Sequence, residues 1–124
     1  MESIRQKYYE KYAQTQIKTV RNFINKIDWT DRLIGIKGSR GVGKTTLLLQ
    51  YLKKKLKPDY KSLYVSLDNF YFTEHRLYEM ADDFYKNGGE FLALDEVHRY
   101  PDWGSEIKNI YDDMPGLKII FTGS

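Results

Sequence analysis

The sequence predicts an α/β fold built on a mainly parallel sheet. Short apolar runs of strand length alternate with longer amphipathic stretches of helical period along the chain. Glycine, proline and acidic breaks separate them, so each strand is followed by a crossover rather than a tight hairpin. One of these breaks is an unusually glycine-rich loop, residues 38–46, set between an apolar run and a helical one.

Taken in order, residues 3–27 read as a helix, with Ala13, Ile17, Val20, Ile24 and Ile27 at three- and four-residue steps. "DWTD" (28–31) breaks that pattern, and Arg32 to Lys37 reads as a short buried strand. After the glycine loop, residues 45–57 form a helix that must end before Pro58. Leu63, Val65 and Leu67 alternate with polar or aromatic neighbours over 62–68, a strand pattern. A helix over about 74–87 buries Leu77, Met80, Ala81 and Phe84 and stops at Asn87-Gly88-Gly89. "EFLALDE" (90–96) is an apolar strand closed by two carboxylates. "PDW" opens the next helix, with Asp102 as the expected N-cap and Trp103, Ile107, Ile110 and Tyr111 facing inward. Residues 117–124 form the last strand. The division expected is an N-terminal helical segment, 1–28, followed by one core, 29–124.

Composition narrows the chemistry. The 124 residues contain no cysteine, which excludes disulfides, thiolate metal sites and cysteine nucleophiles and fits a cytoplasmic protein. No apolar run is long enough to cross a bilayer, so no membrane role is expected. The formal charge of +3 is too mild to argue for nucleic acid. The 11 tyrosines are scattered and read as half-buried packing.

Gly38-Ser39-Arg40-Gly41-Val42-Gly43-Lys44-Thr45 matches G-x-x-x-x-G-K-[ST], a P-loop. Ordinary residue usage produces this match on the order of once per 10⁴ to 10⁵ positions, and here it falls between strand and helix as the motif requires. Gly41 and Gly43 tolerate the positive φ that turns amide N–H groups inward around phosphate oxygens. The following helix aims its positive dipole end at the same point. Lys44 is expected on the β- and γ-phosphates, Thr45 on Mg²⁺, and Thr46 on the α-phosphate. Arg40, within the loop, is a further candidate for phosphate contact.

The second constellation is Asp95-Glu96, about fifty residues on, at the carboxyl end of a buried strand where ligands of open α/β sheets collect. Asp95 suits the Mg²⁺ shell, and Glu96 suits a base that deprotonates water for attack on the γ-phosphate. Thr122 ends the last strand. If that strand lies beside the first, its hydroxyl faces the γ-phosphate, with Ser124 in reserve.

Together these residues resemble an AAA-type P-loop ATPase of the additional-strand, catalytic-glutamate class. "RGVGKTTLL", "YVSLD", "LALDEVHRYPDW", "IKNIYD" and "IIFTGS" resemble closely one family of predicted ATPases, in which an AAA core precedes a nuclease-like C-terminal domain. The resemblance covers residues 29–124. It implies a P-loop NTPase three-layer sandwich with strand order 2-3-4-1-5, the strand of Thr122 lying between those of Gly38 and Asp95. It also implies that Lys44 and Thr45 are Walker A residues, Asp95 and Glu96 Walker B, and Thr122 sensor 1. Members of the family continue through a fifth strand, a helical lid with sensor 2 and the C-terminal domain, whereas this sequence ends at sensor 1. The resemblance therefore implies a truncated core with weak turnover, and any nucleic-acid contact would belong to regions outside this sequence.

The functional expectation is an ATP-binding, Mg²⁺-dependent NTPase. A nucleotide-gated binding module and a small P-loop kinase are the alternatives. The kinase is disfavoured because Glu96 suits water activation and no arginine-rich lid is evident. Asp68 and Asn69, ending the second strand, are either turn residues or hydrogen-bond partners of Glu96. His98 reads as a surface contact and the 53–57 lysine run as a solvated helix face. Ile27, Trp29 and Leu33 are the candidates for adenine contact. Self-association is expected through the first strand, left as a sheet edge.

Overall fold

The computed structural model describes residues 2–14, 30–37, 43–55 and 61–123, with the side chains of 12–14 and 53–55 excepted. The described elements are α1 (Glu2–Gln14), β1 (Leu33–Lys37), α2 (Lys44–Lys55), β2 (Ser62–Ser66), α3 (Leu77–Lys86), β3 (Phe91–Asp95), α4 (Trp103–Asp113) and β4 (Lys118–Gly123). Short 3₁₀ turns at Phe70–Thr73 and Val97–Arg99 follow β2 and β3. The strands form one parallel sheet in the order β1-β4-β3-β2. The last strand is thus inserted between the first and third, as the resemblance implies.

The register divides the side chains between two faces. Ser62 pairs with Phe91 and Tyr64 with Ala93, so Ser62, Tyr64, Phe91, Ala93 and Asp95 share one face. Helices α1 and α2 cover it: the Tyr8 and Tyr64 rings lie 6.4 Å apart, and those of Tyr51 and Phe91 5.9 Å. Leu94 pairs with Phe121 on the opposite face, where α4 rests Trp103 against Phe121 at 5.5 Å. α3 packs beside α4, completing helix–sheet–helix layers. Because both faces are covered, β3 is buried at all five positions, as the continuous apolar run "FLAL" requires.

Local chemistry fixes the ends of several elements. α3 closes in a Schellman motif: Gly88 takes φ 97°, its N–H donates to the Tyr85 carbonyl, and the Gly89 N–H donates to that of Phe84. Arg32 ties the start of β1 to the end of α4. Its guanidinium donates to the carbonyls of Tyr111, Met114 and Leu117 and stacks 3.9 Å from the Tyr111 ring centroid.

Some expectations change. Asp102 holds the N-cap position of α4 but with a left-handed φ of 58° and no side-chain capping bond. The helix expected from 74 begins at Leu77, because Phe70–Thr73 forms its own turn, capped by the Asn69 side chain on the Tyr71 N–H at 2.9 Å. β2 alternates in sequence yet is buried on both faces, since α1 covers the side a solvent-facing strand would expose. Among the described side chains of α1, Ile4 and Tyr8 are buried. The helical expectation for 15–27, including Ile17, Val20, Ile24 and Ile27, lies outside the described residues, as do Trp29, residues 38–42, residues 56–60 and Ser124.

Candidate functional site

Of the sequence-predicted residues, Thr45, Asp95, Glu96 and Thr122 meet at one rim of the sheet, at the carboxyl ends of its strands. Gly43 takes φ 87°, a conformation glycine adopts without a Cβ clash, and its carbonyl accepts the Leu47 N–H at 2.9 Å. Helix α2 starts at the next residue, Lys44, so its positive dipole end lies at this rim. Thr45 and Thr46 occupy the first turn. Gly38, Ser39, Arg40, Gly41 and Val42 lie outside the described residues.

Asp95 is the hub. It is only 2% exposed, and its carboxylate collects donors on both oxygens. Oδ2 accepts from the Thr45 hydroxyl and, at 2.6 Å, from the Tyr64 phenol. Oδ1 accepts from the Thr122 hydroxyl and, at 3.1 Å, from the Glu96 N–H. A buried carboxylate without partners is costly, and these donors fill its lone-pair directions. Burial and the adjacent Asp95 charge push the Tyr64 phenol far above the ordinary tyrosine range, so it remains a donor at neutral pH.

Glu96 follows in the left-handed region, with φ 56° and ψ 41°. Non-glycine residues are uncommon there, and such strain collects at functional sites. Its side chain pairs with His98, Oε2 to Nε2 at 3.1 Å. Asp68 and Asn69 are engaged elsewhere: Asp68 Oδ1 accepts the Ser66 hydroxyl at 2.6 Å, and Asn69 caps the following turn. They are turn residues, and His98 is the partner that Glu96 has. Thr122 is fully buried, and its hydroxyl is directed to Asp95.

A cavity of about 510 Å³ opens over this cluster, between α1 and the ends of β2 and β3. Thr45, Asp95 and Glu96 line it on one side, and Lys7 and Lys11 of α1 on another. Sequence reasoning missed Tyr64, the Glu96–His98 pair and the two lysines. The i, i+4 spacing of Lys7 and Lys11 beside Ile4 and Tyr8 was the available signal for the last of these. Among the described residues no three His, Cys, Asp or Glu side chains gather to hold a metal alone. With its lone-pair sites taken, Asp95 would act on a cation through its charge and through Thr45. A cation here would be held by the Thr45 hydroxyl oxygen, waters and phosphate oxygens, which is a Mg²⁺-type donor set.

The profile of the family described as AAA domain matches residues 30–124, from just before β1 through β4. The chain belongs to that AAA domain family. This AAA domain carries the sheet order of a P-loop NTPase core, and its membership brings nucleotide binding of the ATPase type. The chain is also similar to the structure of C. elegans PCH-2, at 18% identity and a TM-score of 0.50, which supports the fold alone. That alignment covers 98% of this AAA chain but 36% of the other, so the chain spans about a third of its length. Among curated proteins, none matches. No described helix is long and apolar enough to cross a membrane.

Proposed function

We propose that this AAA domain binds ATP with Mg²⁺ and hydrolyses the β–γ bond by water attack. The observation that carries this reading is the meeting of Thr45 and Asp95 in one hydrogen bond, with Glu96 next in sequence at the mouth of the cavity. The 38–46 loop would wrap the phosphates with backbone N–H groups, and Lys44 would balance charge on the transferring group. Because the Thr45 hydroxyl gives its proton to Asp95, its lone pairs remain for a cation. When bound, Mg²⁺ would neutralise charge on the β- and γ-phosphate oxygens.

Glu96 takes the proton of the attacking water as the water oxygen bonds to the γ-phosphorus and the bridging oxygen leaves with ADP. Thr122 holds Asp95 and the Glu96 N–H in register, the latter through a longer contact of 3.4 Å. Lys7 and Lys11 place positive charge in the lining of the same cavity. Residues 29–124 form the nucleotide-binding core in this reading, with the 1–28 segment packed on it through α1.

The Glu96–His98 pair favours one second reading, a nucleotide-gated binding module whose base is held away from water. Phosphate release measured with and without a phosphoryl acceptor, beside equilibrium ATP binding, separates the readings. Acceptor-independent phosphate supports hydrolysis. Acceptor-dependent transfer would replace it with a kinase, and binding without either product would leave the module.

A further inference from the structure

Tyr64 sits one residue pair before the strand ends, facing the same side of the sheet as Asp95. Its phenol is 2% exposed and donates to Asp95 Oδ2 at 2.6 Å, the same oxygen that receives the Thr45 hydroxyl. No ordinary packing requirement places a hydroxyl there, since phenylalanine would fill the same volume. The ring is buttressed in turn from α1, where fully buried Tyr8 lies 6.4 Å from it and bonds through its own hydroxyl to Ser62 at 3.1 Å.

We propose that Tyr64 is a positioning residue for the cation site, its phenol fixing the Asp95 carboxylate so that Oδ2 stays aligned with Thr45. This rests on the reading of Thr45 and Asp95 as the Mg²⁺ partners. A carboxylate with two donors on each oxygen cannot rotate about its Cβ–Cγ bond without breaking several hydrogen bonds at once. Removing the phenol leaves Oδ2 with Thr45 alone and lets the group swing. Partners that orient metal ligands in this way typically carry ten- to hundredfold of metal affinity. The buttress from Tyr8 makes α1 part of this arrangement, which gives the N-terminal helix a reason to pack on β2 rather than elsewhere.

The test is the Mg²⁺ concentration needed for half-maximal ATP binding, followed by fluorescence of a labelled nucleotide. Tyr64→Phe should raise it about tenfold while leaving ATP affinity in chelator unchanged. Tyr8→Phe keeps the ring that packs against Tyr64 and removes only the hydroxyl bond to Ser62, without touching Asp95, so it should lower stability while leaving the Mg²⁺ midpoint at the wild-type value. A Tyr64→Phe midpoint equal to wild type would overturn the positioning role. Wild-type binding indifferent to Mg²⁺ would overturn the cation site itself, and this inference with it. Should Tyr64→Phe not fold, the wild-type protein still decides. The buried, hydrogen-bonded Tyr64 hydroxyl proton should shift in the NMR spectrum when Mg²⁺ is added to the ATP-bound protein, and an unmoved resonance would overturn the role.

Discussion

Glu96 and His98 meet at 3.1 Å, carboxylate to imidazole, immediately past the end of β3. The contact is made because Glu96 adopts a left-handed backbone and the chain then turns tightly through Val97–Arg99. The residue proposed as the base is thus partnered, not free in the cavity. Glu96→Gln should spare ATP binding and reduce turnover by roughly 10² to 10⁴, measured by phosphate release on the natural protein under saturating Mg-ATP. Equal rates in wild type and variant would move the base role elsewhere, to His98 first.

A second buried carboxylate holds the fold rather than the site. Glu106, 8% exposed, accepts the Tyr100 hydroxyl at 2.6 Å and the Tyr78 N–H at 3.0 Å, while Tyr100 accepts the Leu77 N–H. Arg76 makes no side-chain cap, so α4 and Tyr100 satisfy the first N–H groups of α3 instead. Glu106→Ala should cost about 1–3 kcal/mol, the range for stranding buried donors, in urea unfolding. Burial and the Glu106 bond raise the Tyr100 pKa above its ordinary 10.0. The unfolded chain therefore loses this proton first. The contribution is complete below about pH 10 and falls as pH rises toward the folded value. Tyr100→Phe should flatten that alkaline decline, and an unchanged slope would contradict it.

Among the described residues β1 pairs with β4 alone and so lies at one edge of the sheet, with Leu33 37% exposed. An unpaired apolar edge is a template for another strand. The chain should self-associate with rising concentration in static light scattering, and Leu33→Lys should weaken that association. A strictly monomeric wild type would contradict this.

Much of this architecture was legible because it follows from local pattern. The continuous apolar run "FLAL", short and closed by carboxylates, reads as a buried strand, and Asn87-Gly88-Gly89 as a helix stop. Thr45 and Asp95 are each expected at the cation from separate motifs, and the hydrogen bond between them is what the fold adds. What stayed hidden depends on which helix covers which face. Tyr64 reads as the polar member of an alternating strand until α1 is laid over it, and one sequence carries no signal for that docking. Glu96's choice of His98 over Asp68 or Asn69 depends on a left-handed residue that no propensity predicts for glutamate. Asp102 illustrates the reverse: a strong capping residue at the expected place, turned away by its own backbone.

The central claim is that the rim around Gly43, Thr45 and Asp95 is a nucleotide site, and Lys44 tests it most directly. Lys44 opens α2 beside Thr45, where the phosphates of the proposed complex converge. Calorimetric titration of wild type and Lys44→Ala with Mg-ATP is the measurement. The account predicts a binding isotherm for wild type and no detectable heat of binding for Lys44→Ala, with both proteins folded by circular dichroism. Equal affinity in the two would contradict it.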